Sequence, residues 1–192
     1  MPNQDIARAN YRFVLTGGPG GGKTSLLEAL ARRGYRGVPD TAREIIKARK
    51  AVGQSPRPDP KVFARMVFDA DVQNYMTSSD TALTFFDRGV VDSLGMLYES
   101  CAMPVLEIEE YLRRYPCNPT VFLLPSWEEI YLNDGERDQT FAEAVQVFER
   151  VISWYGRCGY EPLEVPFGPV SERLDFVLNT VAAASIPAEH RM

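Results

Sequence analysis

Hydrophobic positions along the chain fall into two alternating patterns. Short runs of branched or aromatic residues read as strands, and the longer stretches between them carry apolar residues at helical spacing. Tyr11 to Leu15, with Phe13, Val14 and Leu15, predicts a buried first strand, and Leu26, Leu27, Leu30 and Ala31 predict the helix after it. Tyr35 to Pro39 predicts a second strand with Asp40 at its end. A helix over Thr41 to Ala51 follows, with Ile45, Ile46 and Ala48 apolar and Thr41 and Glu44 spaced as a capping box. A proline-rich loop over 53–60 leads to a long helix that opens at Asp59 and Pro60 and runs through Ser78, with Phe63, Met66, Val67 and Ala70 on one face.

Ala82 to Phe86 predicts the third strand, ending at Asp87. Two helical stretches follow, Val90 to Ser100 and Val105 to Tyr115, split by Met103 and Pro104. Thr120 to Leu124 is the fourth strand, Ser126 to Leu132 a short capped helix, and Asn133 to Gln139 a charged loop. The helix from Thr140 to Arg157 carries a stripe of Phe141, Val145, Phe148, Ile152 and Tyr155, capped by Thr140 and Glu143. Tyr160 to Val165 is the fifth strand, and a last helix spans Ser171 to about Ala184.

Strands that alternate with helices imply an α/β fold, a parallel sheet with right-handed crossovers. Ligands in such sheets bind at the C-terminal strand ends. Gly17, Asp40, Asp87 and Pro125 all fall there. The chain of 192 residues reads as one domain over 1–192, with its core at about 11–182 and short polar tails. Hydrophobic content of 45% with 24% charged residues is that of a globular protein. A formal charge of −5 argues against nucleic acid or an anionic membrane as the main partner. The polar opening MPNQDIARAN gives no signal peptide, and no apolar run is long enough to span a membrane. Cys101, Cys117 and Cys158 lack the spacing of a zinc site or a disulfide framework, which fits a reducing cytoplasm. His190 is the single histidine and lies at the C-terminal end, so histidine-based catalysis in the core is excluded.

One segment changes this picture from fold to chemistry. Gly17, Gly18, Pro19, Gly20, Gly21 and Gly22, followed by Lys23 and Thr24, satisfy G-x-x-x-x-G-K-[ST] between a strand and a helix. Phosphate oxygens must meet several backbone N–H groups at once, and the helix that starts at the loop adds its positive end. Residues 17–25, Ser25 included, are therefore expected to bind nucleotide. Lys23 is expected on the β- and γ-phosphates, and the Thr24 hydroxyl on Mg²⁺. Asp87 stands where a P-loop protein places its second carboxylate toward the metal, though aspartate also favours a cap there. Arg88 replaces the second acid of motor-type ATPases, and a cation there favours transfer to an acceptor over hydrolysis. Asp40 is a candidate general base or an ordinary helix N-cap. Arg43, Arg65, Gln73 and Arg88 are candidate acceptor-binding residues, with a solvated polar face as the alternative for Arg65 and Gln73. The loop 133–139 has the length and charge of a lid, with Arg137 a candidate to close onto the phosphates and a solvated charged loop as the alternative.

With GGPGGGKT at 17–24, DTAR at 40–43, DRG at 87–89 and ERD at 136–138, the chain resembles the nucleoside and nucleotide kinase branch of P-loop proteins. Within it, the chain looks like the bacterial AAA-domain family of predicted ATPases, similar to the ribosylnicotinamide kinase domain. The resemblance covers about residues 11 to 182. It implies a three-layer fold with a five-stranded sheet in the order 2-3-1-4-5 and helices on both faces. It further implies ATP·Mg²⁺ as donor, adenine near Phe167 to Ser171, and an acceptor between Asp40, Arg43, Arg88 and the helix at 60–78.

Three readings follow. The first is a small-molecule kinase acting on a nucleoside, nucleotide or related metabolite, with Lys23, Asp40, Arg88 and Arg137 as its catalytic residues. The second is a nucleotide-binding switch or weak ATPase without an acceptor, although no guanine-reading N-K-x-D follows the fourth strand. The third, a ring-forming ATPase, is opposed by the Asp87–Arg88 pair and the lack of a second domain. A homodimer stays open.

Overall fold

The computed structural model describes residues 10–101, 103–131 and 140–184. At its centre lies β1 (Arg12–Gly17), hydrogen-bonded on one side to β3 (Thr84–Asp87) and on the other to β4 (Val121–Leu124). β2 (Arg36–Val38) and β5 (Leu163–Glu164) complete a parallel sheet in the order β2-β3-β1-β4-β5. The α-helices among the described residues are α1 (Lys23–Arg32), α2 (Thr41–Ala51), α3 (Pro60–Thr77), α4 (Val90–Cys101), α5 (Val105–Arg114), α6 (Phe141–Arg157) and α7 (Val170–Ala184). They cover both faces, so the expected order and layering are what the structure has.

Period-two alternation inside the apolar strand runs explains how both faces are filled. Phe13, Leu15, Phe85, Phe122 and Leu124 join α1 and α7 residues such as Leu26, Leu30, Leu174 and Val177 in one core. Their strand neighbours Val14, Phe86 and Val121 turn the other way and meet Val91 of α4 and Tyr155 of α6. A further cluster, with Phe68, Leu94, Leu97 and Ile108, ties α3, α4 and α5 together. At the start of β1 the buried Arg12 donates from Nε to Ser78 Oγ at 2.7 Å, pairs with Asp80, and lies 4.3 Å above the Tyr75 ring. No helix among the described residues is long and apolar enough to cross a membrane.

Several local expectations are corrected. The helix expected over 126–132 is only a 3-10 turn at Glu128–Ile130, because the Ser126 hydroxyl donates to the Ala144 carbonyl at 3.2 Å instead of capping. The N-cap of α2 is Asp40, not a Thr41–Glu44 box; Thr41 is buried and accepts from Asn74 Nδ2 at 3.2 Å. The Thr140–Glu143 box on α6 is present, but its inward stripe runs through Ala144 and Tyr155, leaving Ile152 39% exposed. β5 is two residues long, since it pairs with β4 alone.

The chain leaves β1 in a narrow space. Gly17 has φ +126°, and a Cβ on it would lie 2.1 Å from the Leu124 carbonyl oxygen. Gly17→Ala therefore combines backbone strain with overpacking, together roughly 2–5 kcal/mol. The expected fall in Tm is about 5–15 °C. Scanning calorimetry checks it, and a change under about 2 °C would contradict the close approach.

Candidate active site

The ends of β1, β3 and β4 open onto one cleft of about 1180 Å³. The glycine loop from Pro19 to Ser25 lines it together with Asp40, Arg43, Asp87 and Arg88. Gly17 and Gly18 sit buried behind the loop and present their carbonyls to Lys23, whose Nζ donates to Gly18 O at 2.7 Å and Gly17 O at 3.5 Å. Burial, and then the neighbouring Arg88, pulls the Lys23 pKa down to about 8. An anion in the loop reverses that pressure, because it favours the charged amine.

Asp87 ends β3 level with Leu15 of β1. Its Oδ2 accepts from Thr24 Oγ1 at 3.1 Å, while its buried Oδ1 has no partner. Burial raises its pKa. A buried carboxylate oxygen without a donor, beside a threonine hydroxyl, is a fitting donor set for a hard cation. Among the described residues no cluster of three or more histidine, cysteine or acidic ligands forms a metal cage.

Arg88 is the one non-glycine residue at positive φ among the described residues, at 67°. Its backbone N–H donates to Leu15 O at 2.9 Å, and its guanidinium donates to Gly17 O at 3.0 Å. It also pairs with Asp40 Oδ2 at 3.5 Å and Asp92 Oδ1 at 3.4 Å. Burial opposes its charge, but Asp92, Asp40 and Asp87 more than offset that and raise its pKa. Asp40 meanwhile caps α2 through Oδ1, which accepts from Arg43 N at 3.2 Å. Both oxygens of Asp40 are thus engaged.

Asp92 is a site residue that sequence reasoning missed. It accepts from the Thr16 hydroxyl, from Gly89 N at 3.1 Å and from Tyr155 OH at 2.7 Å, besides Arg88. The i, i+4 spacing of Arg88 and Asp92 was the available signal. Arg173 was missed as well: it lines the cleft, is 3% exposed, and falls in register with the inward Leu174, Val177 and Val181 of α7.

Two expectations are corrected by placement. Arg65 faces solvent on α3, paired with Asp69 at 3.0 Å, and Gln73 is exposed two turns on; neither lines the cleft. The inward face of α3 is taken by Phe63, Ala64, Val67, Phe68 and Asp71. Arg137 and the rest of 132–139 lie outside the described residues.

The sequence matches the model of an AAA domain family over residues 12–173. No curated protein matches it. Among solved structures, a NadR protein in complex with NR superposes with a TM-score of 0.67 at 14% identity, over 93% of this chain and 52% of the other. The chain thus spans about half the length of that relative. Deoxyadenosine kinase from M. mycoides with bound dATP gives 0.57 at 13% identity, over 89% and 98%. The YorR protein from Bacillus subtilis in complex with phosphorylated GDP gives 0.61 at 10%, over 94% and 99%. At such identities the likeness is one of fold alone.

Two predictions come from the buried acids. Asp92→Ala removes one of the two carboxylate partners of Arg88 and strands three other donors, costing about 2–5 kcal/mol in urea unfolding, against about 1–3 for Tyr155→Phe; equal stabilities for all three proteins would refute the hub. Burial pushes Asp71 up to about 6, beside Thr41 and Ser93 with Asp92 and Asp40 the nearest charges. Between pH 4 and 6 the folded chain then binds the proton that the unfolded chain has released, so this group's contribution falls as pH rises. Relative to wild type, Asp71→Asn should gain up to about 3 kcal/mol between pH 4 and 7. Parallel stability–pH curves would refute this.

Proposed function

Because the chain belongs to the AAA domain family, we propose that it binds ATP·Mg²⁺ in the glycine loop and transfers the γ-phosphoryl group to a small-molecule acceptor. The observation that carries this reading is the Thr24–Asp87 pair, with its unpartnered buried oxygen, set against Lys23 and Arg88 in one cleft. Thr24 and Asp87 would hold Mg²⁺, which when bound neutralises charge across the β- and γ-phosphates.

The roles of the chain's own groups follow from their positions. The amides of Gly20 to Ser25 cradle the phosphates at the positive end of α1. Lys23 swings from the loop carbonyls to the phosphate oxygens. Arg88, held charged and preset by Asp40 and Asp92, steadies the negative charge spread over the transferring group. Asp40 orients an acceptor hydroxyl; a loose transition state asks little more of a base. The acceptor lies between Arg43, Phe63, Met96 and Trp154, which line the far end of the cleft. Adenine lies at the other end, where Trp127 and Gly168 to Val170 line it. The three free cysteines suit a cytoplasmic setting, and burial holds the Cys117 thiol up to about 12.

One observation favours a second reading, a nucleotide-dependent switch or weak ATPase: both oxygens of Asp40 are already occupied by Arg43 N and Arg88. ATP consumption with Mg²⁺, against a panel of nucleosides, nucleotides and ribosylnicotinamide, separates the two. Stimulation by one compound with a phosphorylated product is the expected result. Tight ATP binding with slow hydrolysis that no compound stimulates would favour the switch.

Lys23→Ala should raise the Kd for ATP by about 30-fold or more, corresponding to at least roughly 2 kcal/mol. Isothermal titration calorimetry checks this, and unaltered binding would refute the loop assignment. Asp87→Asn should remove most of the Mg²⁺ dependence of ATP binding in the same assay.

A further inference from the structure

Arg173 stands in the first turn of α7, buried beneath the glycine loop, with its backbone N–H bonded to Pro169 O at 3.1 Å. Its Nη2 donates to the Gly21 carbonyl at 2.8 Å. Nη1 would lie 2.7 Å from a Cβ on Gly22, so only glycine lets the guanidinium lie against the start of α1. Its Nε is buried with no hydrogen-bond partner. Among the described residues no carboxylate lies within salt-bridge distance of it. Glu172, its sequence neighbour, is exposed and turns its Oε2 toward Gly168. Burial alone acts on its pKa, and lowers it.

A buried cation without a counter-charge is unfavourable. Here the cost is compounded, because the α1 N-terminus is the positive end of a helix and Lys23 is also buried beside the loop. The acids of the site sit elsewhere: Asp87, Asp40 and Asp92 are gathered around Arg88. Hydrogen bonding to Gly21 needs only a neutral donor, so that bond does not explain why the group is charged.

We propose that Arg173 is a further nucleotide-binding residue, a buried cation whose missing counter-ion is the polyphosphate of the bound nucleotide. This inference rests on the nucleotide-binding reading above. It assigns the loop's inner side a cation from the far end of the chain, distinct from Lys23 at the loop itself. Bound polyphosphate relieves the charge conflict of the free protein, so the same residue favours the loaded state twice, by attraction and by destabilising the empty one.

Two substitutions separate charge from hydrogen bonding. Arg173→Gln keeps an N–H donor for Gly21 without the charge, and Arg173→Lys keeps the charge. The probes are ADP, inorganic tripolyphosphate and adenosine, measured by titration calorimetry, with the Tm of the ligand-free proteins read in parallel. For R173Q we expect the Kd of ADP and tripolyphosphate to rise about 10- to 100-fold. We expect adenosine binding to stay within twofold and the ligand-free Tm to equal or exceed that of wild type. R173K should retain most of the polyphosphate affinity. Tripolyphosphate binding to R173Q within twofold of wild type overturns the inference while leaving the nucleotide site intact. A lowered ligand-free Tm with equal affinity losses in R173Q and R173K also overturns it, since the residue would then only brace the loop. Should R173Q not fold, R173K decides alone, and a tenfold loss in it overturns the charge argument. Wild-type protein that binds neither ADP nor tripolyphosphate sinks the nucleotide reading and this inference together.

Discussion

The pairing of β1 between β3 and β4 brings three strand ends to one level, and the cleft depends on that registration. Leu15 lies opposite Asp87 and Gly17 opposite Leu124, so the glycine loop leaves the sheet where the carboxylate of β3 ends. The Thr24–Asp87 contact joins the two: α1 begins directly after the loop, and the Thr24 hydroxyl in its first turn donates to Asp87 at 3.1 Å. Parallel strands offer unpaired backbone groups at their C-terminal ends, and the structure uses them. Arg88 donates to the carbonyls of Leu15 and Gly17 and is thereby fixed in the left-handed region.

Charge is arranged in two unequal halves around that frame. On one side Asp40, Asp87 and Asp92 surround Arg88, with Tyr155 and Thr16 completing the hydrogen bonds of Asp92. This half carries three carboxylates to one guanidinium and leaves Asp87 Oδ1 without a donor, an excess of negative charge suited to a cation. On the other side Lys23 and Arg173 flank the loop with carbonyls as their partners. The second half is short of negative charge, in keeping with a ligand that brings its own.

Much of this was legible in the chain. Period-two alternation within apolar runs marks buried parallel strands, and the glycine loop with Lys23 and Thr24 is a local motif whose parts touch because they are neighbours. Asp87 was legible for the same reason, since it directly ends an apolar run. The misreadings share a cause. Ser126 looks like a helix cap by residue type, but its hydroxyl is taken by Ala144, a partner 18 residues away. Thr41 and Glu44 have the spacing of a capping box, yet the helix takes the other cap the sequence offered, Asp40, while Thr41 is buried against Asn74 of α3.

By itself, then, the sequence determined the order of the elements, the glycine loop and the carboxylate beside it, all features written in residues adjacent along the chain. Only the tertiary structure decided which other charges face the cleft. Arg65 and Gln73 point to solvent and Arg173 points inward because a helix turns about 100° per residue, so one position's difference in register exchanges core for water. Arg173 meets Gly21 across 152 residues of chain, and Tyr155 meets Asp92 across 63. Such contacts are set by how helices pack on a finished sheet, and no local pattern encodes them.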